Sequence, residues 1–148
     1  MQAEQTVSIH RRTEDVFAFL ARLENHPRFV PGVLDFGLTS GTMVEGAEAV
    51  GSRSVFGIVR RLPYTITEFQ PNRVLAMSTA IGPLEGSATY HLDRENDAVT
   101  RVHFVVAGGF RGPLRFADRL LADTWARDAA AVCRNLKTIL ESESAIEA

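Results

Sequence analysis

The chain has 148 residues, 45% hydrophobic and 23% charged, with a formal net charge of −2. That length suits one domain, residues 1–148, with one core, and the charge balance offers no basic footprint for nucleic acid or anionic lipid. Cys133 is the only cysteine, which excludes an internal disulfide, and no apolar run is long enough to span a membrane. The N-terminal MQAEQTVSIH lacks the basic n-region and apolar h-region of a signal peptide, so a soluble cytoplasmic protein is expected. All basic residues but Lys137 are arginines.

Glu4 to His10 alternates around Val7 and Ile9 and reads as a first strand. Thr13 offers an N-cap hydroxyl, with Glu14 and Asp15 where a helix N-terminus favours negative charge. Val16, Phe17, Leu20 and Leu23 then give one buried helical face. Pro27 forces His26 out of the α region and should end this helix near Asn25. Phe29 and Val30 form a short apolar turn before Pro31-Gly32.

Strands are expected over Val33–Thr39, Val50–Arg60, Tyr64–Phe69, Val74–Ala80, Leu84–Asp93 and Ala98–Ala107. Turn residues separate them: Ser40-Gly41, Gly46, Leu62-Pro63, Pro71-Asn72, Gly82-Pro83 and Glu95-Asn96-Asp97. Short connections between sequential strands imply an antiparallel meander. In the last hairpin Tyr90 and Leu92 must share a face with Val102, Phe104 and Val106, so paired numbers sum to an even value. Pairing Tyr90 with Val102 leaves a favoured three-residue loop, Glu95-Asn96-Asp97. That register puts Thr89 opposite His103 and His91 opposite Arg101.

A long helix is expected from Pro113 to Glu141, roughly 43 Å long. Leu114, Ala117, Leu121, Trp125, Ala129, Val132, Leu136 and Ile139 form its apolar stripe, which would bury against the sheet.

This order resembles the START-like, or SRPBCC, superfamily of helix-grip proteins, and within it the polyketide cyclase/dehydrase and lipid-transport group. The resemblance is carried by VSIHRRTEDVFAFLARLENHPRFVPGV (Val7–Val33), ITEFQPNRVLAM (Ile66–Met77) and ATYHLDRENDAVTRVHF (Ala88–Phe104), and it covers nearly the whole chain. It implies an α+β helix-grip fold, with a curved antiparallel sheet of about seven strands wrapped round the C-terminal helix. Two short helices after the first strand would plug one end, with an apolar cavity between sheet and long helix. The fold hosts carriers, cyclases, hydrolases and interaction modules, so it does not select an activity.

No catalytic constellation stands out. None of His10, His26, His91 and His103 forms a tight ligand pair such as H-E-x-x-H. The face carrying His91 and His103 reads as a solvated outer face. A surface metal site there would lack a third ligand. Cys133 reads as a small buried hydrophobe. GGFRGP (Gly108–Pro113) lacks the Lys-Ser/Thr of a P-loop and reads as a flexible connection, with Phe110 as a lid residue over the cavity mouth.

The resemblance points instead to Phe56, Tyr64, Met77, Tyr90, Phe104, Phe116, Leu120 and Trp125 as ligand-binding residues; the same side chains would serve a filled core. The phase of Val50–Arg60 is ambiguous, and an inward Arg53 needs a partner such as Glu68 or a ligand carboxylate. Three functions follow. The first is binding of a hydrophobic small molecule such as a lipid, a quinone or an aromatic polyketide, with no cofactor and no metal. The second is a cyclase or dehydratase using Tyr64 or Tyr90 as proton donor, Arg53 as oxyanion partner and Thr100 to orient a hydroxyl. It ranks lower, because no inward histidine or carboxylate is evident. The third is a protein-interaction module. Oligomeric state is left open.

Overall fold

The computed structural model describes residues 1–55 and 57–147. Seven strands form one antiparallel sheet: β1 (Gln2–Ile9), β2 (Val33–Leu38), β3 (Glu48–Val55), β4 (Ile58–Gln70), β5 (Val74–Ile81), β6 (Leu84–Asn96) and β7 (Val99–Phe110), in the order β1-β7-β6-β5-β4-β3-β2. Helix α1 (Thr13–Ala21) and a 3₁₀ helix (Leu23–Arg28) carry the chain from one sheet edge to the other. A second 3₁₀ helix (Gly112–Asp118) leads into α2 (Arg119–Glu147), which packs on β1 and β7. This is the helix-grip architecture.

The meander is built from hairpins whose inner residues alternate. Leu75 faces Tyr90, Tyr90 faces Phe104, Ile66 faces Met77, and Leu92 faces Val102. Irregularities in register between Val33 and Asp35, Ile66 and Glu68, and Arg94 and Asn96 bend the strands, as bulges do, and give the sheet its concave face. Gly51 permits a close approach of β2. A Cβ there would lie 2.9 Å from the Asp35 carbonyl oxygen and 3.0 Å from the Phe36 ring.

Several expectations are corrected. α1 ends at Ala21, and Pro27 sits inside the 3₁₀ helix rather than stopping a longer α-helix at Asn25. Arg12, not Thr13, takes the N-cap position. The Thr13 hydroxyl instead lies 2.9 Å from that of Thr100, and both are buried. Thr100 also donates to the Arg11 carbonyl, so its hydroxyl is occupied by structure and is not free to orient a ligand.

The Val50–Arg60 segment is split between two strands, β3 ending at Val55 and β4 starting at Ile58, with Gly57 at φ 80°, and Leu62-Pro63 is no break. The Pro63 carbonyl accepts from the Thr79 hydroxyl on the β5 side. Its missing N–H lies on that same side, where pairing with β5 only begins at Tyr64–Thr79. The last hairpin keeps the predicted parity but shifts by two residues, placing Tyr90 opposite Phe104 and His91 opposite His103. The long helix starts at Arg119, and Gly108–Phe110 extend β7 rather than forming a loose connection.

Candidate functional site

The 3₁₀ helix before β2 has three residues per turn, so Leu23, His26 and Phe29 stack on one side. That side faces inward: their exposures are 1%, 3% and 1%. His26 packs against the rings of Phe29, Phe36 and Tyr90, with centroids 4.9, 5.2 and 5.8 Å away. Its Nδ1 lies 3.2 Å from the Leu23 carbonyl oxygen. Because a carbonyl only accepts, that nitrogen carries the proton, and Nε2 is buried with no partner among the described residues. Burial lowers the His26 pKa to about 4, more than the Leu23 bond raises it.

Between this plug, the concave sheet and α2 lies a cavity of about 430 Å³. Tyr64, Met77, Tyr90, Phe104, Leu120 and Trp125 line it. Phe116 does not: it stands on the second 3₁₀ helix, 72% exposed, because the chain there has yet to enter α2. Phe56 lies outside the described residues. Phe110 ends β7 opposite the lining residue Leu84 and is not itself part of the lining.

Polar side chains are set among the apolar ones in the cavity wall, and Arg53, Tyr90, Asp128 and His26 bear most on its chemistry. Arg53 projects inward from β3, which settles its strand phase. It makes no hydrogen bond or ion pair among the described residues. Its charge acts on Asp128 and Tyr90, and Glu68 accepts from Gln70. Burial raises the pKa of Asp128, and the charges of Arg53 and Arg127 oppose the rise. Burial also drives the Tyr90 phenol upward, with Cys133 adding to the effect and Arg53 opposing it, so the hydroxyl is a donor at all ordinary pH. The expectation that no histidine or carboxylate points inward is therefore wrong on both counts, for His26 and Asp128 line the cavity. Both were signalled. His26 falls at three-residue spacing between Leu23 and Phe29, and Asp128 follows Leu121 and Trp125 at helical spacing.

On the outer face the His91 and His103 rings stack at 5.8 Å, and His103 Nε2 lies 3.0 Å from Glu4 Oε2. No group of three or more potential ligands for a metal gathers among the described residues. Cys133 is buried, its thiol raised to about 11 by burial, which suits a packing role.

The model of one family, polyketide cyclase / dehydrase and lipid transport, matches residues 1–141. The chain belongs to that family. Solved structures agree on the fold. The Zhui aromatase/cyclase from Streptomyces sp. R1128 superposes with a TM-score of 0.81 at 14% identity, covering 97% of this chain and 95% of that one. A START superfamily protein from Mycobacterium smegmatis gives 0.74 at 10% identity, covering 95% and 97%. The di-domain ARO/CYC BexL from the BE-7585A biosynthetic pathway gives 0.70 at 17% identity over 92% of this chain, which spans only 46% of that protein's length. No curated protein matches. Among the described residues, no helix is long and apolar enough to cross a membrane.

Proposed function

We propose that the protein binds a hydrophobic small molecule, of the lipid, quinone or aromatic polyketide kind, between the sheet and α2. The observation that carries this reading is the cavity of about 430 Å³, within the about 300–1,000 Å³ typical of small-molecule sites. Aromatic and aliphatic walls supply affinity, and Arg53, Tyr90 and Asp128 supply a few polar contacts. The membership of a family that includes lipid transport is consistent with it. Two of the polar groups are tuned for binding rather than proton transfer, with Asp128, raised by burial, the exception. His26 is pushed down to about 4 and Tyr90 upward, both away from the neutral range where a general acid–base works best.

Native mass spectrometry of untagged protein, set against the denatured mass, tests it. A discrete extra mass lost on denaturation is expected. Protein that stays apo and takes up none of a panel of lipids, quinones and polyphenols sinks the reading.

One arrangement favours a second reading, a cyclase or dehydratase. An unpaired Arg53 guanidinium shares the cavity with the Tyr90 phenol and the Asp128 carboxyl, which could polarise a carbonyl and donate to it. Tyr90→Phe separates the two. A binder keeps its ligand to within about tenfold, the scale of one hydrogen bond. An enzyme relying on that phenol loses turnover with KM little changed.

A further inference from the structure

Eight large apolar side chains stand exposed among the described residues, and Leu34, Ile58, Val59, Leu114, Phe116 and Leu120 lie on segments at one end of the grip, where β2 and β4 start and β7 runs into the second 3₁₀ helix. The cavity reaches the same end. Leu120 lines it directly. Val59 pairs with Ser54, another lining residue, and Leu34 follows Val33, which pairs with the lining Arg53. Phe116 at 72% and Leu120 at 79% are more exposed than any other large apolar residue described.

Charge accompanies them. Arg60, Arg61, Arg111, Arg115 and Arg119 are exposed on these segments. The acids beside them are fewer and mostly engaged. Asp35 lies 3.8 Å from Arg61, Glu85 lies 3.8 Å from Arg111, and Asp118 accepts from the Phe110 N–H; Asp123 sits one turn further along α2. Arg60, Arg115 and Arg119 have no ion pair among the described residues. The net charge of −2 conceals this rim, because acids such as Glu141 and Glu143 lie at the other end of a 29-residue helix, about 30 Å or more away.

We propose that this rim docks on an anionic lipid surface, with Leu114, Phe116 and Leu120 entering the headgroup–acyl boundary and the unpaired arginines meeting lipid phosphates. Large apolar side chains interleaved with arginines are the pattern of interfacial binding. The segment from Arg111 to Leu120 has no Ser, Thr, Asn or Gln, so it offers few of the neutral polar groups a protein partner's rim would need to satisfy. Docking places the cavity mouth against the bilayer, where an apolar ligand passes without crossing water. The proposal concerns the outer rim and holds whether or not the cavity is occupied.

Vesicle flotation of the full chain tests it. Binding is expected to vesicles of phosphatidylcholine with about one third phosphatidylglycerol, to weaken as salt rises, and to be slight on phosphatidylcholine alone. Phe116→Ser with Leu120→Ser should lower the partition coefficient about a hundredfold, and Arg115→Gln with Arg119→Gln about thirtyfold. Val44→Ser, also exposed, at 51%, but on the β2–β3 connection at the other end of the sheet, should change nothing. No binding to the anionic vesicles overturns the proposal and leaves the rim to an acidic protein; equal loss in Val44→Ser overturns it too. Flotation with an emptied cavity keeps this outcome separate from the fate of the ligand-binding reading.

Discussion

The two ends of the grip are built differently, although one helix serves both. At the closed end, the C-terminal half of α2 is latched to the plug and to β1. Asn135 donates to the Phe29 carbonyl at 3.1 Å, Lys137 to the Ser8 carbonyl at 2.6 Å and Arg11 to the Leu140 carbonyl at 3.1 Å, while Arg28 pairs with Glu143 at 2.5 Å. Glu141 receives both Lys137 and His10; burial tends to raise its pKa, but those bonds hold it down to about 2. Val132, Leu136 and Leu140 are almost fully buried there. At the open end, the second 3₁₀ helix buries none of its residues and is tied down chiefly through Asp118 and Arg111. The bonded, buried contacts belong to the latched end, and exposure to the end through which the proposed ligand would pass.

Truncation should expose this contrast most sharply. Leu136→Ala, at 0% exposure in the core, should cost about 3–4 kcal/mol by lost burial and the cavity left behind. Leu120→Ala, on the same helix at 79% exposure, should cost less than about 0.5 kcal/mol. Denaturant midpoints for the pair measure the difference, and comparable losses would mean that the two halves of α2 fold as one equally packed unit.

Acid should find the closed end next. Unfolded His26 takes up a proton below pH 6.5, whereas the folded chain resists until about pH 4. The unfolded state therefore binds more protons in that window, and stability falls as pH falls through it. A gap of that size is worth on the order of 3 kcal/mol, with about 2 kcal/mol already lost at pH 5. Glu141 acts in the same direction only below its ordinary 4.5, so unfolding measured between pH 7 and pH 5 lies above its range, and the variant at His26 identifies that residue's share. His26→Phe keeps the aromatic packing and should flatten the profile. An unchanged slope in that variant would assign the acid sensitivity elsewhere.

The two ends also differed in how readily the sequence revealed them. Periodicity located the meander and the buried stripe of α2 from Leu121 onward, because side-chain alternation and helical spacing are local properties. Parity in the last hairpin was likewise legible, but the bulge between Arg94 and Asn96 shifted the register by two, and a bulge leaves no reliable local mark. Pro63 read as a break because its neighbour on the β5 side could not be known. In the candidate site, the aromatic set came from the family resemblance rather than from strand phase, because alternation alone does not distinguish a cavity wall from a filled core. His26 was missed because Pro27 was taken to end regular structure, when it only converted the helix to one with three residues per turn. Phe116 was assigned inward because an α-helix was assumed to begin at Pro113.

A smaller effect should sharpen the contrast at the open end. Asp118 Oδ1 accepts the Phe110 N–H at 2.8 Å, and its carboxylate occupies the space over Gly109, where a Cβ would meet it at 2.6 Å. Asp118→Ala removes one hydrogen bond of about 1 kcal/mol. Most of that should appear locally, as faster amide exchange at Phe110 and through residues 112–118, with the global midpoint barely moved. Slower exchange there, or a cooperative loss of the whole fold, would show that the segment is integral to the core.

The smallest expected effect discriminates most clearly what the exposed rim is for. Phe116→Ser and Leu120→Ser should leave the unfolding free energy within about 0.5 kcal/mol of the parent, because neither side chain loses much solvent contact on folding. Folding therefore gives these apolar groups no role, and stability alone would tolerate serine at both. If either substitution destabilised the chain by more than about 1.5 kcal/mol, the scale of a buried large side chain, the rim would have to close over the cavity in solution and the open end would be a lid at rest. A thermal midpoint that stays put, alongside lost vesicle binding, ties the two residues to a surface outside the molecule.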